Sequence, residues 1–490
     1  MTSPDFHARL RAALPETDEA PTLPSVTALV NASASLPRPS AEGYLSPLGA
    51  EATLSHILDD IVPGLNGQAR SGRYYGFVTG GSLPVAEAAD NIVSALDQNV
   101  QVHLPTQTVA TELESVALRM LVDVLGLESG TGDGGEVWKG KTFTTGATAS
   151  NVLGLACGRE AVVEKKGGRI GELGILSACL AAGIREIQVL TSMGHSSLSK
   201  AASVVGLGRA SVKELPANPD EPWKLDLVAV EKELAREGVA SIIAVSAGEV
   251  NTGRFATGGL EEMHKLRELA DRFGAWIHVD GAFGIFARAL EPLPEFERLR
   301  GMASGLELAD SITVDGHKLL NVPYDCGMFF TRSLETLTSV FTNPNAVYLS
   351  SGPSSIPSPL NIGLENSRRF RALPAYAVLR SEGRTGLAAT LGRMVLLARK
   401  LAQWIRESGK YDLLPEGDWA LEETHMIVLF RAKDEKVNEE LVGRINATRQ
   451  MYVSGTSWKG RKAVRLAVGS WRVDIDKDFE AVTKLLGDVV

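Results

Sequence analysis

Between residues 140 and 335 short apolar runs alternate with amphipathic stretches, and this alternation limits the fold more than any other feature of the chain. Strands are predicted at 141–145, 186–191, 241–246, 275–280, 311–314 and 327–331. Helical periodicities lie between them. One carries Leu198, Ala201, Ala202 and Val205; another carries Met263, Leu266, Leu269, Ala270 and Phe273 and closes at Gly274. Strands that are apolar almost throughout are covered on both faces, so the pattern predicts an α/β fold with a mainly parallel sheet between helical layers. Ligands of such sheets bind at the carboxyl ends of the strands.

The flanks read differently. Residues 1–50 are rich in Pro, Ser, Ala and Thr and predict an extended or loosely helical arm. Helical spacing follows at 49–61 and 111–127, with an aromatic, glycine-rich loop at 70–82. Beyond Pro374 a helical region runs to Ser408, then a strand (426–430), a helix (436–448), strands at 451–455 and 463–468 and a last helix (476–486). The expected organisation is an N-terminal arm and helical segment over 1–110, a large α/β domain over 111–375 and a small α+β domain over 376–490. A chain of 490 residues exceeds one usual core.

Composition excludes several function classes. A net charge of −9 argues against nucleic acid or an anionic membrane as partner. No apolar run reaches the ~18 residues of a membrane span, and the N-terminus lacks the basic flank and apolar stretch of a signal peptide. Cys157, Cys179 and Cys326 are scattered, with neither disulfide-framework nor metal-ligand spacing. A cytoplasmic protein without a metal site is expected.

Two motifs carry chemistry. One strand runs through Asp315-Gly-His317-Lys318; 38 positions upstream another runs through Ile277-His278-Val279-Asp280-Gly281-Ala282. A lysine and an aspartate at the exits of neighbouring strands are what a pyridoxal phosphate (PLP) site requires. The lysine forms a Schiff base with the aldehyde, and the acid keeps the ring nitrogen protonated so that the ring accepts electrons. A strand-end lysine is more often a solvated surface residue, but the apolar Leu319 and Leu320 beside Lys318 point to partial desolvation, which favours the nucleophilic neutral amine. Ala282 is small enough for a flat ring to approach, and His278, deeper in the strand, reads as a core histidine.

Other candidates depend on this pair. The turn containing Ala147 and Thr148 opens a helix whose N-terminus suits a phosphate, although such residues also cap helices without a ligand. His195 follows a strand and precedes a helix, where its ring can stack on a pyridine face or simply cap the helix. Arg369 belongs to a basic cluster, Arg368-Arg369-Phe370-Arg371, able to hold a carboxylate or to tie subunits together. Tyr348 sits in a Ser/Pro/Gly-rich stretch from which a phenol can donate a proton. Phe77, Thr79 and His103 are candidates for the substrate pocket.

Together these motifs resemble the group II PLP-dependent amino-acid decarboxylases, which include the aromatic-amino-acid, glutamate and histidine enzymes. The likeness covers nearly the whole chain, and the Asp280-Gly281-Ala282 and His317-Lys318 motifs are its most specific part. It implies a fold-type I homodimer that decarboxylates an L-amino acid to the amine through a Lys318 Schiff base and a quinonoid intermediate. Asp280 maps to the family's ring-nitrogen acid, His195 to its stacking histidine, Ala147, Thr148 and His317 to phosphate-side positions, and Tyr348 to the tyrosine that reprotonates the carbanion. A phenylalanine at that position diverts the family's reaction to aldehyde formation. The resemblance also implies sites that draw on both chains, with the 70–110 segment completing the partner's pocket. Three features depart from the family: the turn after the third strand reads Ser246-Ala247-Gly248-Glu249, Asp315 stands where asparagine is common, and the Tyr74–Thr79 region has its own sequence. Two other classes stay open at this level: another PLP reaction on the same scaffold (aldehyde synthesis, carbon–carbon lysis or transamination), and a non-catalytic binding protein that kept the fold.

Overall fold

Apolar strands need cover on both faces, and the computed structural model shows how this chain supplies it. The structure describes residues 6–14, 21–39, 41–128, 136–344 and 356–490. The strands are β1 (Tyr74–Tyr75), β2 (Gly140–Thr144), β3 (Glu186–Thr191), β4 (Val212–Glu214), β5 (Val239–Ser246), β6 (Trp276–Asp280), β7 (Ser311–Asp315), β8 (Gly327–Thr331), β9 (Tyr411–Leu414), β10 (Ile427–Ala432), β11 (Tyr452–Trp458) and β12 (Arg461–Ala467). A seven-stranded sheet runs in the order β2-β8-β7-β6-β5-β3-β4. The pairs β3–β4, β3–β5, β5–β6 and β6–β7 are parallel, whereas β8 runs antiparallel to both β7 and β2. The segment 316–326 between β7 and β8 holds only a four-residue helix, Gly316–Leu319. That is too short for a parallel crossover, so the chain turns back instead.

This topology puts the carboxyl ends of β2, β3, β5, β6 and β7 along one edge, and the polar motifs fall there. The six strands predicted in this region all form, with ends shifted by at most two residues. Strand β4 was not anticipated; three residues, none of them buried, give too little pattern to read. The helix Ala147–Glu164 crosses the sheet and is buried along nearly its whole length. Its two interior glycines allow the close approach. A Cβ at Gly154 would lie 2.2 Å from the His278 ring, and one at Gly158 would lie 2.9 Å from Trp276.

A second, five-stranded sheet has the order β1-β11-β12-β10-β9 and is antiparallel except that β1 pairs in parallel with β11. The helices Glu435–Ala447 and Ile475–Asp488 accompany it. The predicted C-terminal strands and helices are present; β9 was missed. The expected helical region after Pro374 is Ala372–Glu407, interrupted at Gly383 by a left-handed φ of 59°. In the N-terminal arm, helices form at Phe6–Ala13 and Val26–Ser35. The two-residue strand β1 matters more than its length suggests. It ties the segment after the arm to the C-terminal sheet and so carries Phe77 and Val78 to the edge where the polar motifs meet.

Candidate active site

A cavity of about 620 Å³ opens at that edge. Lys318, Asp280, His195, His317, Ala147, Thr148 and Ala282, all singled out from sequence, line it. Lys318 follows β7 on its one-turn helix; its side chain is 22% exposed, and its Nζ lies 3.0 Å from Asp315 Oδ2 and 5.8 Å from the centre of the Phe283 ring. Asp280 ends β6. Its Oδ2 accepts a 2.9 Å hydrogen bond from Asn151 Nδ2, and its Oδ1 faces the Ala282 N–H at 3.3 Å. His278 is fully buried below it, as expected of a core histidine.

His195 caps the helix Ser196–Val204 with its ring, Nδ1 accepting from the Ser197 N–H at 3.1 Å. Burial holds this imidazole below its ordinary pKa; the nearby Asp280 opposes that shift. His317 is likewise held low by burial. Its Nδ1 accepts from the Cys326 N–H at 3.2 Å, and the Tyr324 ring lies 4.4 Å from its own. Asp315 is more than a sequence difference. Its Oδ1 accepts the Ala147 N–H at 2.6 Å, so a carboxylate caps the helix at the turn expected to receive a phosphate. Thr148, next in the chain, is exposed to the cavity and keeps its hydroxyl at that helix N-terminus.

The substrate candidates separate. Phe77 lines the cavity at its mouth, 64% exposed and at a left-handed φ of 60°. Val78 beside it also lines this cavity. Thr79 is buried behind them; its hydroxyl donates to Gly76 O at 3.1 Å and meets Tyr324. The structure does not bring His103 or Arg369 to this cavity. His103 is buried against Thr111 at 2.7 Å, and Arg369 pairs with Asp90 at 2.7 Å on the helix Pro84–Leu96. Tyr348 lies outside the described residues.

Sequence reasoning missed several lining residues, among them Arg465, Asn251 and Tyr324, and saw Glu249 only as a departure from the family. Arg465 could have been found, because a charge inside the apolar run of β12 is costly unless something requires it. It is 4% exposed, and its Nη2 has no hydrogen-bond partner among the described residues. Burial pushes its pKa down to about 10, against the attraction of Glu249. Glu249 is held by the Asn251 N–H at 2.7 Å and by the Thr252 N–H and hydroxyl, each at 2.9 Å. Among the described residues no cluster of His, Cys, Asp or Glu is arranged to hold a metal ion.

The arrangement fits a PLP enzyme of fold-type I. A lysine amine, an acid held by a donor, a capped and therefore fixed histidine ring and a helix N-terminus converge on a cavity roomy enough for a cofactor and a small substrate. The comparisons with known proteins agree. Residues 50–433 match the pyridoxal-dependent decarboxylase conserved domain, so the chain belongs to that family. It is 27% identical over 460 residues to tryptophan decarboxylase 1 of Oryza sativa subsp. japonica, covering 88% of this chain and 82% of that one. It is also 27% identical over 380 residues to an L-2,4-diaminobutyrate decarboxylase of Acinetobacter baumannii, covering 74% and 68%. The crystal structure of Oryza sativa TDC with PLP and tryptamine superposes with a TM-score of 0.80 at 23% identity over 100% of this chain and 99% of that one. The chain is a PLP-dependent carboxy-lyase, and its cofactor is PLP.

Proposed function

We propose that this cavity decarboxylates an L-amino acid to its amine, with Lys318 as the residue that carries the cofactor. One observation supports this most: Lys318 and Asp280, at the ends of adjacent strands, line the same cavity. PLP, when bound, supplies a ring that accepts the electron pair left on the substrate carbon as CO2 departs. Lys318 would hold the cofactor aldehyde through its amine. Asp280 would hold the proton on the ring nitrogen, His195 would lie against the ring, and Thr148, His317 and the helix N-terminus would hold the phosphate.

Arg465 offers its Nη2, unpartnered among the described residues, to a substrate carboxylate. Tyr348 returns a proton to the carbon. Tyr324 places a second phenol in the cavity wall; burial holds its pKa above the ordinary value, so it keeps its proton at neutral pH. An aldehyde-forming course is the alternative, since Arabidopsis thaliana phenylacetaldehyde synthase is 24% identical over 451 residues. Product analysis separates the two: both release CO2, but the first leaves the amine, whereas the second consumes dioxygen and leaves the aldehyde and ammonia.

The protein acts as a homodimer in this reading. Val26, Val30, Leu45, Leu48, Ile92 and Leu96 are exposed apolar side chains of the N-terminal third, a surface suited to a second copy. The three unpaired cysteines suit a reducing cytoplasm, and no helix among the described residues is long and apolar enough to cross a membrane. The test is an amino-acid panel scored for CO2 and amine with wild type and Tyr348→Phe. The reading expects decarboxylation by wild type, and loss or diversion of turnover with bound cofactor retained in the variant. Unchanged amine production by Tyr348→Phe removes Tyr348 from the mechanism.

A further inference from the structure

Behind Asp280 runs a chain of hydrogen bonds whose direction is fixed at both ends. The Trp276 indole can only donate, and it donates to Ser311 Oγ at 2.9 Å. The Ser311 hydroxyl, having accepted that bond, turns its own proton to His278 Nδ1 at 2.8 Å. His278 is fully buried, and burial holds its pKa down to about 4, so at neutral pH it is uncharged and carries one ring proton. With Nδ1 accepting, that proton is on Nε2, which donates to Asn151 Oδ1 at 3.0 Å. A carboxylate can only accept, so the Asn151 amide must turn its nitrogen to Asp280 Oδ2, at 2.9 Å.

The Asn151 amide is a junction rather than a link. Its oxygen also accepts from Thr313 Oγ1 at 2.9 Å, and its second N–H donates to Ser197 Oγ at 3.1 Å. The Ser197 hydroxyl in turn meets His195 Nδ1 at 2.7 Å, beside the Ser197 N–H that reaches the same nitrogen. Both donors land on Nδ1, which leaves Nε2 as the His195 nitrogen bearing the proton. All four bonding positions of the amide are used, and Asn151, His278, Ser311 and Thr313 have no measurable exposure. In a fully buried site a satisfied network of this kind sets protonation and orientation together.

We propose that Asn151 is the positioning residue of the cofactor site, its single amide holding Asp280 as an ionised acceptor for the ring nitrogen and His195 as the Nε2–H tautomer. The inference rests on the PLP reading above. The charged groups facing the two imidazoles are Asp280 for His278, and Asp280, Lys318, Arg465 and Asp315 for His195.

Two measurements test it on the holoenzyme. In wild type labelled with isotopic nitrogen in histidine, NMR at neutral pH should show His278 and His195 both uncharged with the proton on Nε2; a proton on Nδ1 of His278 overturns the proposal. In Asn151→Asp, which keeps the shape but replaces both donors with a carboxylate beside Asp280, the visible band of the lysine–cofactor imine should persist. Its pH titration should move upward by about one unit and the cofactor dissociation constant should rise about tenfold. An unmoved titration with wild-type affinity overturns the proposal while leaving the PLP reading standing, and absence of any lysine-bound cofactor in wild type removes that reading itself. Should Asn151→Asp fail to fold, Ser311→Ala cuts the chain at its far end; with Asn151 still turned by Asp280, the His278 proton should stay on Nε2, and a proton on Nδ1 in that variant counts against the directed chain.

Discussion

At the scale of single residues, the site divides into groups that advertise their chemistry and groups that acquire it from their neighbours. Arg465 is a buried cation with one nitrogen unpartnered among the described residues and a cavity in front of it. A charge-assisted bond to a substrate carboxylate contributes about 1.5–3 kcal/mol. Arg465→Met is therefore expected to raise KM by roughly ten- to a hundredfold in steady-state kinetics with cofactor affinity little changed; an unaltered KM would take Arg465 out of substrate binding. Lys318, Asp280 and His195 were legible in the sequence because each is a reactive side chain at a predicted strand end. Asn151 was not. In Thr148-Ala149-Ser150-Asn151 it reads as one more helix-capping residue, and its importance follows from β6, β7 and two helices meeting around it. Asp315 was visible only as a departure; that it caps the helix behind the phosphate turn depends on how β7 and β2 are placed.

At the scale of elements, glycines and one buried ion pair decide how the pieces approach. A Cβ at Gly80 would lie 1.8 Å from the backbone oxygen of Lys318, which no side-chain rearrangement relieves. Gly80→Ala should displace the Lys318 turn and weaken cofactor binding, read by titrating the apoprotein with PLP; wild-type affinity in that variant contradicts the packing described. The helix Ala110–Val124 is joined to the segment before Ala372 by Glu114 and Arg368 at 2.5 Å, both almost wholly buried. Burial raises the Glu114 pKa, against the opposing attraction of Arg368. Removing one partner of such a pair strands the other, at a cost of about 3–5 kcal/mol. Arg368→Met should lose stability on that scale in urea unfolding, and adding Glu114→Leu should recover much of it. The long strands and helices here were readable from their periodicity. Strands β1, β4 and β9 were not, being two to four residues long, and the reversed direction of β8 depends on the brevity of the 316–326 connection.

Across the whole molecule, acid sensitivity follows from the buried histidines. Burial holds His278 near 4 and His425 near 3, where an unfolded histidine titrates at about 6.5. Between those values the unfolded chain binds protons that the folded chain refuses. Their contribution to stability is therefore complete above about pH 6.5 and declines as pH falls toward the folded values. His425 lies against Phe283 and Phe255, with Nδ1 unpartnered among the described residues. His425→Phe should lose less stability than wild type between about pH 7 and pH 5, by up to about 1.4 kcal/mol per pH unit, measured by denaturant unfolding. Equal slopes would mean that His425 is not buried uncharged. The exposed apolar residues of the N-terminal third carry the dimer reading, and light scattering should give twice the chain mass, with Val30→Glu combined with Leu48→Glu shifting it toward one.

The account depends on a covalent bond between one lysine and the cofactor aldehyde, and the most direct measurement is peptide mass spectrometry after borohydride reduction of the purified holoenzyme. A reduced pyridoxyl adduct confined to the peptide containing Lys318, and lost in Lys318→Ala, is the predicted result. An adduct on another lysine, or none on a protein that still releases CO2 from an amino acid, would contradict it.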